Sequence, residues 1–173
     1  MKQETKPELP EMKQTVLGLY VTAKEAYEKW QADPDKVKVL DVRTPEEYIY
    51  VGHPEMAVNI PLAFQTHSWS EEKGYFDFKP NPEFLTRAKE WAQPSDVLLV
   101  MCRSGGRSAM AVNGLAKMGY TNAFNSTDGM EGDAVNEPGS GEHGKRTIDG
   151  WKNSGAPWTY DINPDQVRLP TDK

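Results

Sequence analysis

Residues 1–15 are charged and contain proline, with no apolar period, so an extended tail is expected there. A short apolar stretch over 17–21 follows, and the spacing then turns helical, with Ala23, Ala26, Tyr27 and Trp30 recurring on one side. Thr22 and Glu25 have the form of a capping box, which predicts a helix over 23–31. Residues 36–43 alternate and then become continuously apolar, as a strand entering a buried sheet does. Thr44, Pro45 and Glu47 start a short helix, because proline is best tolerated in the first turn, and 57–60 returns as a strand. Residues 61–79 are aromatic and polar without a period and read as a long loop. Asn81 and Pro82 then cap a helix running to residue 93. Residues 96–101 are the most apolar run of the chain, the pattern of a central parallel strand covered on both faces. A helix from 107 or 108 to 118 ends at Gly119, and a strand follows over 122–125. This alternation predicts an α/β fold, a mainly parallel sheet of about five strands flanked by helices, with ligands at the carboxyl ends of the strands. Cys102 falls at such an end.

Residues 133–147 are Gly-rich, charged and nearly devoid of large apolar groups, and read as a surface excursion. Residues 148–160 regain Trp151, Trp158 and Tyr160, enough apolar surface to dock back on the body, and 161–173 form a polar tail. One domain over 16–160 between two tails is therefore expected. This division also accounts for a hydrophobic content of 37% and a mean hydropathy of −0.73, since tails and excursion carry much of the polarity.

Charge and cysteine content narrow the function. Twenty Lys and Arg against 26 Asp and Glu leave a net charge of −6, which removes any broad attraction to nucleic acid or anionic lipid. One cysteine excludes an intramolecular disulfide, a CxxC redox pair and a Cys-rich zinc site. The longest apolar run, 97–102, is far short of the roughly 20 residues that span a bilayer, and no apolar segment follows Met1. The expectation is a soluble chain without membrane insertion, periplasmic if a signal peptide has been removed, or cytoplasmic.

The chemistry concentrates in the loop after the apolar strand: Cys102, Arg103, Ser104, Gly105, Gly106, Arg107 and Ser108. A free thiol has a pKa of about 8.5 and its thiolate is the nucleophile, so a reactive cysteine needs help. Two glycines let successive N–H groups turn inward, the following helix points its positive end at the loop, and Arg103 and Arg107 add full charges. The same cradle would hold an anionic substrate. The competing reading is an inert buried cysteine.

These residues resemble the single-domain rhodanese-like sulfurtransferases. The run from Asp41 to Tyr48 (DVRTPEEY), Gly52-His53, the run from Ala57 to Pro61, the Cys102–Arg107 loop and the segment from Gly150-Trp151 to Pro157 stand in that family's order. The resemblance implies a three-layer rhodanese-like domain and a small anionic sulfur donor such as thiosulfate or polysulfide. It also implies a persulfide on Cys102 and transfer of sulfur to cyanide, a thiol or an acceptor protein, with no cofactor. Four residues separate Cys102 from Arg107, where the related Cys-dependent phosphatases and arsenate reductases have a wider loop. Arg103 directly after the cysteine is more similar to the thiosulfate than to the mercaptopyruvate branch. The alternatives are a binding module that carries sulfur or docks a redox partner with little turnover, or a phosphatase or arsenate reductase. The chain departs from the family in the excursion between Asp128-Gly129-Met130 and Gly150-Trp151. That insertion is expected either to be a solvated loop or to fold over the Cys102 mouth, with Lys145 and Arg146 selecting the sulfur acceptor.

Other candidates carry less. Arg43 would add positive potential to the site or, as the better reading, pair with Glu46 or Glu47, Asp41 beside it closing the same strand. His53 lies 49 residues before Cys102, a spacing like that of caspases without their other residues, and reads as a turn residue. His67 and His143 lack partners at metal-ligand spacing, so no metal is expected. Trp69, Tyr75, Phe76 and Phe78 read as packing for the long loop rather than as walls of a pocket.

Overall fold

The computed structural model describes residues 8–171. In chain order it contains β1 (Tyr20–Val21), α1 (Ala23–Ala32), β2 (Val37–Asp41), α2 (Pro45–Tyr50), β3 (Val58–Asn59), β4 (Ala63–Ser70), β5 (Tyr75–Pro80), α3 (Phe84–Trp91), β6 (Val97–Met101), α4 (Gly106–Lys117) and β7 (Ala123–Ser126). Five strands form a parallel sheet in the order β1-β7-β6-β2-β3. β6 lies at its centre, as its unbroken apolar sequence requires. Successive strand residues face opposite ways. Leu98 and Val100 enter one core cluster with Leu40, Val112, Leu115 and Phe84, while Leu99 and Met101 enter a second with Val39, Tyr48 and Trp151. Both faces are thus covered, and the α/β architecture is the one expected.

Two helix starts follow from local chemistry. Thr22 and Glu25 cap α1, and Thr44 and Glu47 cap α2, each through a reciprocal capping box, with Pro45 in the first turn of α2. α3 begins later than its sequence suggests: the Asn81 side chain accepts from the Glu83 N–H and donates to the Pro61 carbonyl, organising the approach to the helix.

The segment over 61–79 is not a loop. β4 and β5 make a separate antiparallel hairpin, with Trp69 opposite Phe76 and a register irregularity between Gln65 and Trp69. Neither strand has a buried face, so the alternation that marks a half-buried strand is missing. The ends of the described chain are also attached. A 3-10 turn at Glu11–Lys13 buries Lys13, whose Nζ donates to the Thr127 carbonyl and to both carboxylate oxygens of Asp133 at 2.8–2.9 Å. Val167 bridges Asn59 in parallel, and the Arg168 N–H donates to the Asn59 carbonyl.

Candidate functional site

The carboxyl ends of β2, β6 and β7 lie on one edge of the sheet, and Cys102 is the first residue beyond β6. Its backbone is fixed on the outer side by the next segment: Met130 N–H donates to the Cys102 carbonyl, and the N–H groups of Glu131 and Gly132 donate to the Arg103 carbonyl. This approach needs Gly129, where a Cβ would stand 2.5 Å from the Cys102 carbonyl oxygen. On the inner side the loop turns at Gly105, whose φ is +104° and where a Cβ would meet the Thr127 carbonyl at 2.6 Å. Asn125 Nδ2 donates to the Gly105 carbonyl and pins that turn to β7. Two glycines therefore allow the loop to lie between two strand ends.

The loop delivers two donors to sulfur. The Gly105 N–H donates to Cys102 Sγ at 3.2 Å, and the Ser108 hydroxyl donates to the same Sγ at 3.3 Å. Cys102 is only 2% exposed, yet it lines an open pocket of about 1010 Å³ together with Arg103, Ser104, Gly106 and Arg107. Gly105 and Ser108 do not line the pocket; they hold the sulfur from behind. The first turn of α4 has no intrahelical acceptors for its N–H groups, so the loop presents hydrogen-bond donors and a positive helix end around one buried sulfur. Chemically this is a nucleophile set in an anion cradle.

The arginines are not free charges, a correction to the expectation from a loop with two arginines and no acid. Arg107 makes a two-pronged pair with Glu47 of α2, both contacts at 2.7 Å, and its guanidinium lies 5.1 Å from the centre of the Phe78 ring. Burial by itself would raise the Glu47 carboxyl, but the hydrogen bond and charge of Arg107 outweigh it and hold Glu47 below the usual carboxylate range. Arg107 is conversely raised, its burial outweighed by Glu47. Glu47 has two tasks, since Oε2 also accepts from the Thr44 N–H as the capping acid of α2. Arg103 pairs with Glu131 at 3.1 Å. The sequence suggests Glu47 as a cap or a partner of Arg43 and gives no sign of Glu131, because their actual partners lie 60 and 28 residues away in the chain.

Arg43 lies off the pocket. It is fully buried and paired with Asp41 at 2.7 Å, rather than with Glu46 or a Glu47 side chain, and Nη2 also donates to the Gly52 carbonyl. His53 is buried in stacking contact with Tyr48, ring centres 3.6 Å apart, with Nδ1 on the Tyr48 carbonyl. Both are structural. His67 and His143 belong to no metal-binding group among the described residues. The aromatics expected as packing are instead 37% to 50% exposed, and Trp69, Tyr75, Phe76 and Phe78 line the Cys102 pocket from the hairpin. The excursion over 133–147 has no helix or strand and is closed by Val135–Lys145 and Gly144–Val135 backbone bonds. It brings Arg146 to the pocket, whereas Lys145 pairs with Glu142 at the surface.

Residues 22–134 match the family described as the rhodanese-like domain. The chain belongs to the rhodanese-like family. Its similar proteins include thiosulfate sulfurtransferase 16, chloroplastic, of Arabidopsis thaliana, 34% identical over 57% of this chain and 75% of that protein. An uncharacterised protein of Rickettsia conorii is 32% identical over 73% of this chain and 85% of its own length. The crystal structure of Rv0390 from M. tuberculosis superposes with a TM-score of 0.64 at 27% identity, covering 82% of this chain and 96% of that one. This is a sulfurtransferase-type rhodanese family, and the five-stranded parallel sheet flanked by helices is the architecture shared with these neighbours. Among the described residues no helix is long and apolar enough to cross a membrane.

Proposed function

We propose that this rhodanese-like chain transfers sulfane sulfur through a persulfide on Cys102, taking it from thiosulfate or a polysulfide and passing it to cyanide, a thiol or an acceptor protein. The Cys102 thiolate attacks the outer sulfur of thiosulfate; a Cys102 S–S bond forms, the S–S bond of thiosulfate breaks, and sulfite leaves with the bonding pair. An acceptor thiolate then attacks the outer, protonated sulfur of the persulfide and releases the Cys102 thiolate, so the cycle needs no external oxidant or reductant. The observation that carries this reading is the placement of Sγ under two donors, Gly105 N–H and Ser108 Oγ, at the floor of a pocket rimmed by Arg103 and Arg107. The same donors that favour a thiolate suit an anionic outer sulfur. Arg103, Ser104, Gly106 and Arg107 would bind the donor, with Gly105 and Ser108 holding sulfur. The four-residue spacing between Cys102 and Arg107 and the likeness to a chloroplastic thiosulfate sulfurtransferase favour a sulfur donor over a phosphate. The test is sulfite release from thiosulfate with cyanide as acceptor. Wild-type protein is expected to turn over and Cys102→Ser to be inactive with its fold intact; equal rates for the two would refute the assignment.

A further inference from the structure

The pocket above Cys102 is much larger than its proposed inorganic donor. A volume of about 1010 Å³ is that of a site for an organic molecule, whereas thiosulfate has five heavy atoms. Its outer walls have two chemistries. The hairpin supplies Trp69, Tyr75, Phe76 and Phe78, all substantially exposed and therefore not occupied in packing the core. The base of the excursion supplies Arg146, half-buried, with Nη1 donating to the Gly132 carbonyl. Gly132 in turn donates its N–H to the Arg103 carbonyl, so Arg146 is tied to the residue beside the nucleophile.

Charge distinguishes Arg146 from its neighbours. Of the charged residues lining the pocket, Glu47 is taken by Arg107 and Glu131 by Arg103. Arg146 has no carboxylate within ion-pair distance among the described residues. Arg146 is thus the pocket cation left open to an anionic group, in a chain of net charge −6. Arg146 also lies in the excursion, outside residues 22–134 that match the family.

We propose that the outer pocket is a subsite for an organic thiol acceptor with an anionic group: its carboxylate pairs with Arg146 and its apolar body seats on the hairpin aromatics. This deepens the sulfur-transfer reading and rests on it for the identity of the ligand as an acceptor, but the subsite itself is testable by binding alone. The probes are 3-phenylpropionate and its uncharged counterpart 3-phenylpropanol, titrated by NMR into wild-type protein and into Arg146→Ala, Arg146→Lys and Phe76→Ser. Wild type is expected to bind the carboxylate more tightly than the alcohol. Arg146→Ala should weaken the carboxylate about fivefold, the loss of one partly exposed ion pair, and so erase the preference, with Arg146→Lys restoring part of it. Phe76→Ser should weaken both probes alike. Equal affinity of wild type for the two probes, or a preference that survives Arg146→Ala, would overturn the subsite. Sulfite release from thiosulfate by the wild-type protein bears only on Cys102, so failure of one reading is told apart from failure of the other.

Discussion

Glu47 joins the nucleophile loop to the rest of the fold, and Glu47→Gln isolates that junction. Glutamine keeps an oxygen for the Thr44 N–H, so the α2 cap survives, but it cannot match the guanidinium of Arg107. The change removes two charge-assisted contacts of 2.7 Å between side chains that are 20% and 21% exposed. This lies between a surface pair, worth under about 1 kcal/mol, and a fully buried one, costing about 3–5 kcal/mol when broken. About 2 kcal/mol is therefore expected at pH 7, or about 4–8 °C in Tm for a domain of this size. The pH dependence has a definite sign. Glu47 is held below the ordinary carboxylate range: its burial opposes ionisation, but Arg107 overcomes that opposition. Its contribution is therefore complete above the unfolded value of about 4.3 and is lost as pH falls through the folded value. Thermal melts of wild type and Glu47→Gln should differ clearly at pH 7 and converge on acidification below about pH 4. Equal melting temperatures at pH 7, or a gap undiminished in acid, would refute the idea that this pair holds the loop.

Gly105→Ala should cost more than about 2 kcal/mol and weaken sulfite release together, because it combines a positive φ with a Cβ 2.6 Å from the Thr127 carbonyl; a melt and an assay on one preparation check both. Lys13→Ala removes contacts to Asp133 and the Thr127 carbonyl, should cost about 1–2 kcal/mol, and should speed protease cleavage near residue 13. Unchanged cleavage and stability would mean that the segment before residue 16 is not held by Lys13.

Much of this was legible in the sequence for reasons specific to each segment. β6 announced itself because a strand covered on both faces has no polar positions to interrupt it, and β2 because its alternation ends in a buried apolar pair, Val39 and Leu40. The capping boxes of α1 and α2 were readable because their partners are three residues apart. The hairpin was not, since pattern reading detects a buried face and β4 and β5 have none. The balance of charge at the loop was equally hidden: Glu47 and Glu131 reach Arg107 and Arg103 only through the packing of α2 and of the turn after β7. Lys13 looked like part of a solvated tail because nothing local marks Asp133 as its partner.

The central claim is that Cys102 carries sulfur as a persulfide. Intact-mass and peptide mass spectrometry after incubation with thiosulfate or polysulfide tests it most directly. A gain of about 32 Da on Cys102, removed by cyanide or reductant and missing from Cys102→Ser, is the expected result. An unmodified Cys102 with both donors, in protein that is folded, would contradict it.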